Sequence, residues 1–232
     1  MAGRAAAVLG ATGLVGERVT ALLVADARWG RVVTVGRRAV PVTGATLSQI
    51  EGDLLGDGLW ADALAVDDVF CCLGTTIRKA GSPEAFRAVD HDAVVRAATA
   101  ARRRGATQLL VVSALGADRD SRVFYNRVKG EMEAAVVALA FPACQVFRPS
   151  LLLGPRTEPR FGERFAALLM WPLRPFLGKY RPVHRDAVAA AMVRIAAAVP
   201  SGTHIYESDR IAAIAAAVGE RGGDGENSSK RK

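Results

Sequence analysis

The run Gly10-Ala11-Thr12-Gly13-Leu14-Val15-Gly16 stands between a short apolar stretch, Ala5 to Leu9, and a helical pattern, Glu17 to Ala25. Strand, glycine turn and helix in that order commit the start of the chain to a βα unit. Glycines three apart let the backbone turn sharply, approach a phosphate without a Cβ in the way, and seat the helix close to the strand. The amino end of the helix then offers free N–H groups and the positive end of its dipole to an anion. Gly10, Thr12, Gly13, Leu14, Val15 and Gly16 are therefore candidate cofactor-binding residues. A glycine turn alone is a weak signal. Its weight comes from a second group of chemical residues downstream.

The rest of the chain alternates strand and helix, the pattern of a parallel sheet covered on both faces. Strands are expected at Arg31–Val35, Thr46–Glu51, Asp68–Leu73, Gln108–Ser113 and Cys144–Arg148. Helices are expected at Pro83–Arg104, Val123–Ala140, Asp186–Ala198 and Ser208–Val218. The texture changes over residues 155–185, where prolines and aromatics suggest a small substrate lobe or lid. Residues 219–232, glycine-rich and charged, read as a disordered tail beyond one domain of residues 1–218.

Composition narrows the function. The net charge is +8, but the arginines are spread over helix faces with no interleaved aromatics, which argues against nucleic acid. No apolar run is long enough to span a bilayer. His91, His184 and His204 are scattered, so no metal site is expected. Cys71, Cys72 and Cys144 fall in expected buried strands, which suits a reducing compartment. With no signal peptide, the expectation is a cytoplasmic protein.

The end of the second strand bears on the cofactor. An acidic residue there would bind the ribose of NAD, whereas Arg37 and Arg38 suit a 2′-phosphate, so NADP(H) is expected ahead of NAD(H). Asp53 and Leu54 follow the third strand, and Leu73, Gly74, Thr75 and Thr76 follow the fourth, where a ligand crosses the carboxyl edge of an open sheet. Ser113 closes the fifth strand. Tyr125 and Lys129, four apart, share a helix face. A phenol ionises near pH ~10, and a neighbouring ammonium lowers that by ~1–3 units. Tyr125 is then the general acid or base of a carbonyl reduction, Lys129 its partner and a holder of the nicotinamide ribose, and Ser113 the hydrogen bond to the substrate oxygen.

Taken together, GATGLVG, Gly36-Arg37-Arg38, Val69 to Thr76, Val89-Asp90-His91-Asp92, Ser113 to Asp118, Tyr125 to Glu131 and Phe147-Arg148-Pro149-Ser150 resemble the atypical short-chain dehydrogenase/reductases. Within these the chain is most similar to the Tat-interacting oxidoreductase group and its bacterial relatives, over roughly Arg4 to Arg160. The resemblance implies an α/β Rossmann fold, NADP(H), a Ser113-Tyr125-Lys129 triad and a place for Pro149 beside the cofactor. The chain departs from it at one point. Where many such enzymes carry an asparagine of a proton relay, the nearest residue is Asp90. Phe161, Phe165, Leu168, Trp171 and Phe176 suggest an apolar wall, hence a small apolar carbonyl or quinone-like substrate. Arg164, Arg174, Lys179 and Arg181 around them also fit a peripheral membrane contact or a homodimer in place of a monomer. A cofactor-binding regulatory or scaffold protein is the alternative function.

Overall fold

The computed structural model describes residues 3–56, 58–153 and 178–217. Among them, seven strands form one parallel sheet in the order β3-β2-β1-β4-β5-β6-β9. The strands are β1 (Arg4–Leu9), β2 (Trp29–Gly36), β3 (Leu47–Glu51), β4 (Asp68–Cys71), β5 (Gln108–Val112), β6 (Ala143–Arg148) and β9 (Gly202–Glu207). A separate pair, β7 (Leu152–Leu153) and β8 (Val183–His184), is also parallel. The helices are α1 (Leu14–Val24), α2 (Ile77–Ala80), α3 (Pro83–Arg87), α4 (Ala93–Arg103), α5 (Phe124–Ala138), α6 (Arg185–Ala198) and α7 (Ser208–Ala216).

Because successive strand side chains point to opposite faces, β1 feeds two cores. Ala7 and Leu9 join Val69, Leu109, Val94, Met132 and Val136 under α4 and α5. Ala6 and Val8 join Val19, Leu23, Phe70, Met192 and Ile211 under α1, α6 and α7. That double burial is why the central strands β1, β4 and β5 read as apolar runs. At the amino end of β4, the buried Asp68 accepts a hydrogen bond from Trp29 Nε1 at 2.9 Å and pairs with Arg4.

Three expectations need correction. The helix expected over Pro83–Arg104 is not continuous: Ala88–Asp92 is a π-helical turn between α3 and α4. Such a turn inserts a residue into the helical ladder and is frequent at functional sites. The seventh strand, β9, was not expected from its sequence. Cys72 lies just past the end of β4 and is only half-buried. The apolar-wall residues Phe161, Phe165, Leu168, Trp171 and Phe176, with Arg164 and Arg174, lie outside the described residues, as does the tail at 219–232.

Candidate functional site

The strand order reverses direction between β1 and β4, and a crevice at the carboxyl ends of an open parallel sheet opens at such a switch. Cys72 N donates to Leu9 O at 2.9 Å, extending the β1–β4 pairing to the rim of that crevice. Gly10 takes φ +73°, and a Cβ there would fall 2.7 Å from Cys72 O. A Cβ at Gly16 would fall 2.2 Å from Gly10 O, so the first turn of α1 can sit against β1 only without a side chain at that position. Gly13 caps α1 with no side-chain hydrogen bond to the first-turn amides. Thr12 and Gly13 are exposed, Leu14 is half-buried, and Val15 packs into the core and offers only its backbone.

Other expected cofactor residues also gather along the carboxyl edge. Arg37 and Arg38 follow β2 and are exposed. Asp53 follows β3 and accepts from Leu55 N at 3.0 Å, closing its own turn, while Leu54 is buried in the core. Leu73 packs against that same core. Thr76 caps α2 by accepting from Lys79 N at 3.2 Å. Pro149 is buried, and its carbonyl accepts from Leu115 N at 3.0 Å.

Lys129 is buried on α5, and its Nζ lies 2.7 Å from Asp90 Oδ1, an ion pair between side chains of which 4% and 1% are exposed. Asp90 Oδ2 accepts from Thr75 N at 2.8 Å. A Cβ on Gly74 would lie 3.5 Å from Asp90 Oδ1 and 3.9 Å from Lys129 Nζ, so the β4 loop closes directly over the pair. Burial works against the charge on Lys129. Asp90, and after it Tyr125, more than offset this, and the ammonium is held above the ordinary lysine value. In Cys71, on the same side, burial pushes the thiol up to about 11. The role of Asp90 as counter-ion was missed by sequence reasoning. Its signal was present as the acid standing where an amide is usual.

Tyr125 lies in the first turn of α5, four residues before Lys129, and a cleft of about 680 Å³ beside it is lined by Ala114, Leu115, Asn126, Arg148 and Tyr180. Arg148 is gripped by Glu133, Nε to Oε1 at 2.9 Å, which raises its already high proton affinity. Ser113, one residue before the cleft-lining Ala114, is buried, and its Oγ has no hydrogen-bond partner among the described residues. Buried hydroxyls normally have one. Among the described residues, no cluster of three metal-ligating side chains occurs, and no helix is long and apolar enough to cross a membrane.

The model of a family described as NAD(P)H-binding matches residues 10–148. The protein HTATIP2 of Rattus norvegicus is 34% identical over 196 residues, 83% of this chain and 78% of the relative. The FMP52 protein of Eremothecium gossypii, named as mitochondrial, is 31% identical over 198 residues, 82% and 88% of the two chains. The fmp52 protein of Emericella nidulans, also named as mitochondrial, is 32% identical over 232 residues, 88% and 96%. Two solved structures have a similar fold. MoeE5 in complex with UDP-glucose and NAD has a TM-score of 0.68 at 20% identity, covering 92% of this chain and 81% of that one. The Bordetella bronchiseptica enzyme WbmH in complex with NAD+ has a TM-score of 0.68 at 16% identity, covering 94% and 80%.

The expected cytoplasmic location does not stand, because the fungal relatives are named as mitochondrial proteins. The glycine turn at a sheet switch point and a family match over most of the sheet agree: the chain belongs to the NAD(P)H-binding family of Rossmann-fold proteins.

Proposed function

We propose that the chain is an NADP(H)-dependent oxidoreductase of the short-chain dehydrogenase/reductase type. It acts on a small carbonyl or quinone-like substrate with Ser113, Tyr125 and Lys129. The single observation that carries this reading is the buried Lys129 ammonium, one helical turn from Tyr125 and covered by the Gly74–Thr75 loop at the sheet switch.

The first loop fits a dinucleotide. Side chains at Gly10 and Gly16 would fill the turn, and the glycine cap leaves the α1 amides without a side-chain competitor. Arg37 and Arg38, exposed at the end of β2, supply the charge that a ribose 2′-phosphate calls for. When bound, the reduced nicotinamide supplies the hydride. Tyr125 gives its phenolic proton to the carbonyl oxygen as charge develops there. Lys129, kept charged, stabilises the phenolate left behind. Ser113 offers a buried hydroxyl, without a partner among the described residues, that steadies the same oxygen. Leu115 and Leu151 give the cleft an apolar wall beside Asn126 and Ser150, which supports a compact, largely apolar substrate.

A spectrophotometric screen of aldehydes, ketones and quinones, with wild type beside Tyr125→Phe, tests the reading. Turnover abolished by the substitution with NADPH affinity kept supports the enzyme. Equal background in both, with NADPH bound, supports a cofactor-binding regulatory protein instead.

A further inference from the structure

We propose that Asp90 is a positioning residue of this site, tying the Lys129 ammonium to the Thr75 amide so that the catalytic helix and the cofactor loop are held by one carboxylate. This rests on the oxidoreductase reading and deepens it. Three observations carry it. The two carboxylate oxygens are divided between the two partners, Oδ1 to Lys129 Nζ at 2.7 Å and Oδ2 to Thr75 N at 2.8 Å. The residue is fully buried, so the arrangement is not a solvated surface contact. It stands in the π-helical turn Ala88–Asp92, between two α-helical segments, where the ladder departs from regular spacing.

Side by side, Asp90 and Lys129 cancel, and the cleft beside Tyr125 is served by a neutral pair in place of a lone cation. The groups that face Lys129 are Asp90 from the π-helical turn, Tyr125 from its own helix and the Cys71 thiol from β4. On the outer side, Arg87 of α3 and Glu131 of α5 pair with each other. With Asp90 ionised, the set Asp90, Lys129 and Tyr125 is neutral before its first proton leaves and negative after. With an amide at position 90 it goes from positive to neutral. The proton therefore leaves at lower pH whichever of Tyr125 and Lys129 releases it, because the pair titrates as a unit. Reduction requires both protons in place.

The experiment uses Asp90→Asn, which keeps an oxygen for the Thr75 amide and replaces the charged oxygen facing Lys129 with an uncharged NH2. Two readouts are taken on the full chain. One is the pH profile of the reductive rate. The other, without cofactor, is NMR titration of 13C-labelled lysine and tyrosine side chains, with Lys129→Arg and Tyr125→Phe for assignment. The expected result is that the alkaline limb, and the first of the two side-chain midpoints, both move down by at least about one pH unit. A uniform fall in rate with neither limb nor midpoint displaced would overturn the proposal and leave Asp90 a merely structural residue. The wild type is a second test that needs no folded variant: a Lys129 midpoint below that of an ordinary lysine also overturns it. Absence of reductase activity in the wild type sinks the oxidoreductase reading instead, and the NMR titration still decides the role of Asp90.

Discussion

The ring of Phe86 lies against that of Tyr125, centroids 5.4 Å apart and planes inclined by 37°. Phe86 is fully buried in α3, and the π-helical turn that follows carries Asp90. One short segment thus backs the phenol with a ring and the lysine with a carboxylate. Phe86→Ala should cost about 3–5 kcal/mol in urea unfolding. The milder Phe86→Leu should keep most of the stability while lowering kcat several-fold, since it removes the surface against which Tyr125 is set. Unchanged kcat in a folded Phe86→Leu protein would show that the ring contact does not orient Tyr125.

The two exposed arginines after β2 make a separable prediction. Arg37→Ala, and the double change with Arg38→Ala, should weaken NADPH by about tenfold or more, while NADH binding stays within about twofold. Fluorescence titration with both cofactors reads this directly. Equal losses for the two cofactors would remove the 2′-phosphate argument.

Within the glycine turn, Gly13 and Gly16 should fail differently. A Cβ at Gly13 would lie 3.2 Å from Gly10 O, a tight contact on an exposed residue, whereas one at Gly16 would lie at 2.2 Å from it. Gly13→Ala should fold to within about 1 kcal/mol of wild type and lose affinity for cofactor. Gly16→Ala should lose about 1–3 kcal/mol as well, because α1 must move off the sheet. Thermal melts paired with cofactor titration distinguish the two.

The Arg148–Glu133 pair joins β6 to α5 behind the cleft, with 21% and 8% of the two side chains exposed. Glu133→Gln leaves the guanidinium half-matched in a largely buried setting, and a loss of about 2 kcal/mol or more is expected in urea unfolding. Arg148 lines the cleft, so substrate KM should rise in the same variant. A stability change below about 0.5 kcal/mol would mean that water replaces the carboxylate.

The far end of the sheet carries a pH dependence of its own. Burial raises Asp68 to about 6 from 3.8, against the lowering effect of its Trp29 hydrogen bond and the Arg4 charge. A carboxyl whose folded value lies above its unfolded one favours folding when protonated. Stability from Asp68 is therefore present below pH ~4 and lost as pH rises towards ~6, by up to about 3 kcal/mol. Relative to Asp68→Asn, the wild type should lose that amount between pH 4 and pH 7 in denaturant titrations. A gap that stays constant over this range would contradict the raised value.

Much of this arrangement can be read from the chain. β1, β4 and β5 are visible as apolar runs because both faces of the sheet are covered there, whereas the edge strand β3, mostly exposed, shows only as a short stretch before a glycine turn. Ser113, Tyr125 and Lys129 stand where strand ends and helical spacing put them. β9 is harder to see, because it is an edge strand whose residues Gly202, Thr203 and Ile205 are exposed, so its pattern carries little apolar signal between two helices. The π-helical turn left no mark either: Phe86, Val89, Ala93 and Ala97 keep nearly regular helical spacing, and one extra residue in the ladder is invisible to a periodicity. The partnership of Asp90 with Lys129 spans two elements distant in sequence, and only packing brings it about.

The seam between β1 and β4 divides the sheet into an early half, β3-β2-β1, and a late half that begins with β4. A nascent chain that has emerged only as far as β3 owns the glycine turn but none of the opposite bank, neither Gly74 nor Thr75 nor the lysine beneath them. On the proposed reading of the site, capture of a dinucleotide is thus an event of assembly, available only after the two halves have been laid edge to edge.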